Sequence, residues 1–184
     1  TRTAITDAKI NREQMGRLSP APAAQDDSRF AAQLLSTIVG DTSGSRLYYA
    51  LVDPAIADEA SMAYDMLDGT GAFMTFISTD PARATEALDI ALVEFRKVMD
   101  DGFSDQELQA AKNKIASSAT LKGEVPMGRL TAVGFDWVYR KEYMPLAQQI
   151  EKLFAVTADE VMSVAKEFDL TKATVLALGP LEKI

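Results

Sequence analysis

The sequence predicts an α+β domain. Three observations carry the prediction: apolar residues alternating with a glycine-bearing turn between them over residues 61–78, apolar residues at helical spacing behind capping boxes at Ser104 and Thr157, and a short β-branched and apolar run over 173–178. Alternation has the period of a strand, and steps of three and four have the period of a helix.

Residues 1–13 are polar and aperiodic and read as a linker or partial strand, leaving 14–184 as a single domain. Gln14 to Ser19 reads as a short strand ending at Pro20-Ala21-Pro22, because proline cannot donate to a ladder and restricts the residue before it. Asp26, Asp27 and Ser28 offer N-cap oxygens to a helix carrying Phe30, Leu34, Leu35 and Ile38, which Gly40 should stop. The Gly40 to Ser45 stretch is rich in turn formers but lacks the Gly-Lys-Ser/Thr ending of a phosphate loop. A second short helix should run from Ser45 through Leu47 and Leu51 to Val52, before a loop of small and acidic residues.

Met62, Tyr64 and Met66 then alternate with Ala63 and Asp65, and after Asp68-Gly69-Thr70-Gly71 come Phe73, Thr75 and Ile77 alternating with Met74 and Phe76. This is a β-hairpin with apolar residues on both faces, so one side should be covered and the other partly so. Asp80 with Pro81 opens a helix bearing Ala84, Leu88, Ala91, Phe95 and Val98, and Gly102 should end it. Ser104 and Glu107 form a capping box ahead of Leu108, Ala111 and Ile115. Gly123 and Pro126 should break the pattern before a helix over 130–139, and Pro145 precedes another with Leu146, Ile150 and Leu153. Thr157 and Glu160 form a second capping box before Val161, Val164 and Phe168, and the run over 173–178 adds a last strand to the sheet.

Composition narrows the chemistry. The 184 residues include no histidine and no cysteine, so zinc ligation and imidazole-assisted nucleophilic catalysis have no side chains to work with. The paired acids Asp26-Asp27 and Asp100-Asp101 read as helix-end residues rather than a calcium site. A net charge of −8 argues against a nucleic-acid or anionic-membrane partner, and 47% hydrophobic with 25% charged residues is ordinary for a soluble globular protein. The chain opens at Thr1 without a signal-peptide pattern, which points to a processed chain or an excised piece; the bacterial periplasm and the cytoplasm are both open.

The order of these signals resembles a known family. A helix, then Gly40 and Ser45-Arg46-Leu47, a hairpin, Glu107-Leu108 with Ala111-Lys112, Val156-Thr157 with Glu160-Val161, and Leu178-Gly179-Pro180 together resemble the second, zinc-free domain of insulinase/pitrilysin peptidases, which include mitochondrial processing peptidase. The resemblance implies a mixed, largely antiparallel sheet with helices packed on one face. It implies a substrate-binding, chamber-closing domain of a zinc metallopeptidase, with the zinc expected in another domain of the parent enzyme and no cofactor bound here. The partners implied are a peptide substrate and a zinc-bearing domain of the same or a partner chain. The alternative is a non-catalytic or structural subunit of the same family.

On that resemblance, Tyr64 matches the family tyrosine and is the one candidate substrate-binding residue, its hydroxyl available to a substrate carbonyl; no residue is expected to be catalytic or to bind metal. The family arginine has no counterpart: Val52 stands where it would fall, and the loop that follows is long. Arg46 belongs to the Ser45-Arg46-Leu47 match and should be structural; Tyr48 and Tyr49 read as packing residues, and Trp137 and Tyr139 as core or groove lining. A domain from a two-walled chamber should leave an apolar flank that favours a homodimer.

Overall fold

The alternation in the second strand decides which way the sheet faces. Strand β2 (Glu13–Ala21) buries Glu13, Met15, Arg17, Ser19 and Ala21 and leaves Gln14, Leu18 and Pro20 exposed. The computed structural model describes residues 1–184 and builds around β2 a five-stranded sheet ordered β1-β5-β2-β4-β3, with β1 (Arg2–Thr6), β3 (Glu59–Leu67), β4 (Thr70–Thr79) and β5 (Thr174–Gly179). Only β1 and β5 pair in parallel, so the sheet is mixed and largely antiparallel.

Six helices back one face: α1 (Arg29–Gly40), α2 (Ala84–Asp101), α3 (Asp105–Glu124), α4 (Pro126–Phe135), α5 (Leu146–Ala155) and α6 (Ala158–Glu167). Helix α1 packs on β3 and α2 on β4, placing Leu34, Leu35, Val39, Leu88 and Phe95 over Met15, Phe73 and Ile77. All eight are essentially inaccessible to water, each contributing roughly 1.5–3 kcal/mol of transfer free energy. The capping boxes form as the sequence implied. Ser104 and Thr157 accept from the amides of Glu107 and Glu160, whose carboxylates return to the cap amides at 2.8 and 2.7 Å.

Several local expectations are corrected. The second strand does not end before Pro20 but continues to Ala21, with Pro20 opposite Ala72. The proline is tolerated because β5 pairs with β2 only as far as Leu18, so this end of β2 is effectively an edge. Within residues 1–13, Arg2–Thr6 form β1, an edge strand paired in parallel with β5. The final strand forms as expected and lies between β1 and β2. Pro126 begins α4, at the first-turn position where its missing amide costs nothing. The segment after Ser45 forms a short π-helical turn, Tyr48–Val52.

Of the acidic pairs, Asp26 binds the amide of Ala23 instead of capping α1, and Asp100 and Asp101 fall in the last turn of α2, the end where the helix dipole disfavours anions. The hairpin turn at Asp68-Gly69 works as expected, with Gly69 at φ +68°.

Two of the three buried cations have backbone carbonyls as their only hydrogen-bond or ion-pair partners. Arg17 stands 4.7 Å over the Phe95 ring and donates through Nη2 to Leu170 O at 2.8 Å, with no carboxylate beside it. Burial, and then the charge of Arg2, bring its pKa down to about 10. Lys112 donates through Nζ to Phe154 O at 2.9 Å and Val156 O at 2.6 Å, closing the carbonyl end of α5.

Candidate functional site

Because paired residues of neighbouring strands share a face, the register defines what the uncovered side of the sheet presents. Thr3, Leu176, Gly16, Phe76 and Ser61 form one row across it, and Thr174, Leu18, Met74 and Ala63 the next. Leu18 is 51% exposed, Leu176 46% and Met74 43%, an apolar belt that no helix of this chain covers. In the middle Gly16 leaves a dip between Leu176 and Phe76: a Cβ built there would meet nothing closer than Leu176 O at 4.0 Å. A glycine inside a strand marks a bulge or a place where something approaches the backbone closely. Here β2 keeps its ladder on both sides and has no bulge. The lone glycine of the Gln14 to Ser19 segment was the signal in the sequence that could have revealed this face.

Tyr64 lies on the other side. It is opposite Phe73 in the β3–β4 register and tilts over that buried ring at a centroid distance of 5.6 Å. Its hydroxyl donates to Pro22 O at 2.7 Å, in the segment that crosses from β2 to α1. Burial, then the charge of Asp26, push its pKa up, and Arg29 works against them. In this arrangement the hydroxyl proton is committed to the backbone.

Arg29 itself is buried, stands 4.6 Å from the Phe30 ring and donates to Asp26 O. Its pKa is lowered by burial and then by Arg140, whose guanidinium is paired with Asp136. Gln25 ties this corner together, donating to Asp68 at 2.6 Å and to Tyr139 O at 2.8 Å.

The remaining aromatic and basic candidates fall into place separately. Val52 closes the π-helical turn and is half-buried, and Ala55 in the loop beyond has φ +54°. Arg46 is structural, as expected: it binds Glu107 through two nitrogens and the Gly102 carbonyl through one of them. Tyr48 is half-buried, but Tyr49 is 63% exposed and meets only the edge of Tyr48 at 5.4 Å, so packing does not account for it. Trp137 is exposed, and Tyr139 stacks on Phe135 at 5.6 Å; neither belongs to the core.

A cleft of about 950 Å³ opens between α1, α3, α4 and α5, lined by Gln33, Lys114, Ala132, Asp136, Met144 and Gln149 among others. It does not include Tyr64, Trp137 or Tyr139.

No group of three or more His, Cys, Asp or Glu side chains comes together in a way that could hold a metal ion. The one fully buried carboxylate, Glu13, accepts from the Leu181 amide through Oε2 and stands alone. The donor set does not fit zinc.

Comparison with known proteins agrees with this geometry. The family described as the peptidase M16 inactive domain matches residues 8–115. An uncharacterized zinc protease of Streptomyces coelicolor is 24% identical over 89% of the chain, and subunit 2 of the mitochondrial cytochrome b-c1 complex of Mus musculus 27% identical over 61%. The chain spans 36% and 25% of the lengths of these two relatives. Among solved structures, a protease from Helicobacter pylori superposes on 96% of the chain, using 43% of its own, with a TM-score of 0.84 at 18% identity.

Proposed function

The chain belongs to the peptidase M16 inactive domain family, and from that premise we propose that it is the substrate-side wall of a zinc metallopeptidase, closing a chamber over an extended peptide while the metal sits in another domain. The observation that supports this reading best is the uncovered sheet face with its dip at Gly16 between Leu176 and Phe76. An extended peptide directs alternate side chains to one side. Laid on this face, it can seat an apolar side chain in the dip and rest its neighbours on Leu18 and Met74.

Such contacts are made equally to substrate and transition state. They lower KM and leave kcat to the zinc-bearing domain. Tyr64 lies on the opposite, helix-covered face with its hydroxyl donating to Pro22 O, so it is not part of the peptide path proposed here.

Gly16→Val tests the reading. The new side chain meets open space and suits a strand, so the fold is kept while the dip is filled. In a zinc peptidase containing this domain, KM for an extended peptide should rise several-fold with kcat unchanged. Unchanged kinetics would remove the sheet face from the substrate path.

One observation favours a second reading, a non-catalytic partner or structural subunit: Val52 puts an uncharged side chain where the family arginine would stand. Subunit 2 of the cytochrome b-c1 complex is among the relatives. On that reading Gly16→Val leaves peptide hydrolysis untouched and weakens assembly with the partner subunit instead.

A further inference from the structure

Helix α4 and the π-helical turn after it, Asp136–Arg140, run on without a break and form one unit that the core does not hold. No apolar residue from Pro126 to Arg140 is buried, and none packs against the hydrophobic core. Of the other elements only α3, its chain neighbour, touches α4 extensively. The unit is stiffened from within, by the ion pair of Asp136 with Arg140 and by Phe135 stacked on Tyr139. Charge does not fasten it to the body either, because Arg29 on α1 feels Arg140 as a like charge and Asp136 as an opposite one.

Each end of the unit is a joint. Val125, extended at φ −90° and ψ 125°, separates α3 from α4, and Lys141 beyond the turn takes a left-handed φ of +57°. At the first joint Gly128 lies so close to the Lys122 carbonyl that a Cβ there would collide with it. The elbow between α3 and α4 folds this far only because residue 128 has no side chain.

The far end is fastened by polar bonds within reach of water. Gln25 donates from its amide nitrogen to Tyr139 O at 2.8 Å and to Asp68 at 2.6 Å, and its oxygen accepts from the Gly69 amide at 3.1 Å. Gln149 adds a bond to Asp136 at 3.2 Å. Bonds of this kind are exchanged for bonds to water at small net cost, and segments without buried apolar contacts open most readily. Beneath the unit lies the large cleft, with Met127, Ala132 and Val133 of α4 on one side and Gln33 and Thr37 of α1 on another. Its volume of about 950 Å³ falls in the range of ligand sites.

We propose that Pro126–Arg140 is a lid over this cleft, hinged at Val125 and Lys141 and latched shut by Gln25. Because the same amide holds Asp68 and Gly69, the latch couples the lid to the tip of the β3–β4 hairpin. The proposal stands independently of how peptide meets the sheet.

Distances between paired spin labels, measured by pulsed electron paramagnetic resonance, test it. The chain has no cysteine, so labels attach only where cysteines are introduced. Leu130→Cys on the lid with Glu151→Cys on α5 reports lid position; Asp89→Cys on α2 with Glu151→Cys is a control within the body. All three sites are exposed, and none lines the cleft. Gln25→Ala removes the latch and should raise the population at a longer lid distance on the order of fivefold. Gly128→Ala acts at the other end: it improves helix propensity but denies the folded-down elbow, so it should produce the same longer distance. The control distance should stay fixed in both variants. A lid distance unchanged in both variants would overturn the proposal, and so would a control distance that lengthens along with it, which would make Gln25 a support of the whole fold.

Discussion

Arg46 and Glu107 form a two-point ion pair, Nε to Oε1 at 2.8 Å and Nη2 to Oε2 at 3.2 Å, which ties the turn after α1 to the first turn of α3. The same Glu107 oxygen that receives Nη2 also accepts from the Ser104 amide and hydroxyl, so one carboxylate serves both the capping box and the long-range tie.

That double duty predicts acid sensitivity. Burial alone would raise the Glu107 pKa, but the bonds from Arg46 and Ser104 outweigh it and hold it at about 2. A carboxyl depressed on folding contributes its stability above the unfolded value of about 4.3, and that stability is lost as pH falls from there toward 2. The full linkage value is about 3 kcal/mol. With about a third of the side chain in water, screening leaves an expected contribution of about 1 kcal/mol. Urea unfolding of wild type and Glu107→Gln at neutral pH and at pH 3 checks this: the gap should narrow in acid, and a constant gap would contradict the assignment.

Lys112→Met should cost about 2 kcal/mol, because it keeps the aliphatic stem and strips the charged donor from two carbonyls at the end of α5. For a domain of this size that corresponds to a fall in Tm of roughly 6 °C. A thermal melt within a degree of wild type would show that water replaces the ammonium freely.

Tyr64→Phe removes a single oxygen from a ring that stays packed on Phe73. Loss of its bond to Pro22 should cost about 1 kcal/mol and lower Tm by roughly 3 °C. An unchanged melting temperature would mean that the bond contributes nothing in solution and would free the hydroxyl for the substrate carbonyl expected from the sequence.

The fold was largely legible in the sequence because its signals are local. The capping boxes at Ser104 and Thr157, the Asp68-Gly69 turn and the alternation on either side of it each specify structure within a few residues. What was misread or left open involves residues whose meaning depends on distant partners. Pro20 breaks a strand unless the neighbouring strand has already ended, and residues 2–6 become a strand only when β5, some 170 positions away, supplies the ladder. The candidate site was harder to read for the same reason. The residue matched by resemblance, Tyr64, shares its face with Phe73 and the core, which depends on which side of the sheet the helices take. Gly16 and Leu176 become neighbours only through the pairing of β2 with β5. Arg46 was legible in kind, but its partner Glu107 lies 61 positions away.

Chelator-washed protein should retain no stoichiometric zinc after dialysis against the metal, because no three potential ligands converge. Elemental analysis checks this, and one tightly held zinc per chain would require a ligand set that the fold does not assemble.

The central claim is that the uncovered sheet face receives peptide. Titrating the isotope-labelled chain with an unstructured peptide rich in apolar side chains, and following methyl and amide signals by NMR, tests it most directly. The account predicts perturbations concentrated at Gly16, Leu18, Met74 and Leu176, and lost in Gly16→Val. Perturbations confined to α4 or the large cleft, or none at peptide concentrations well above millimolar, would contradict it.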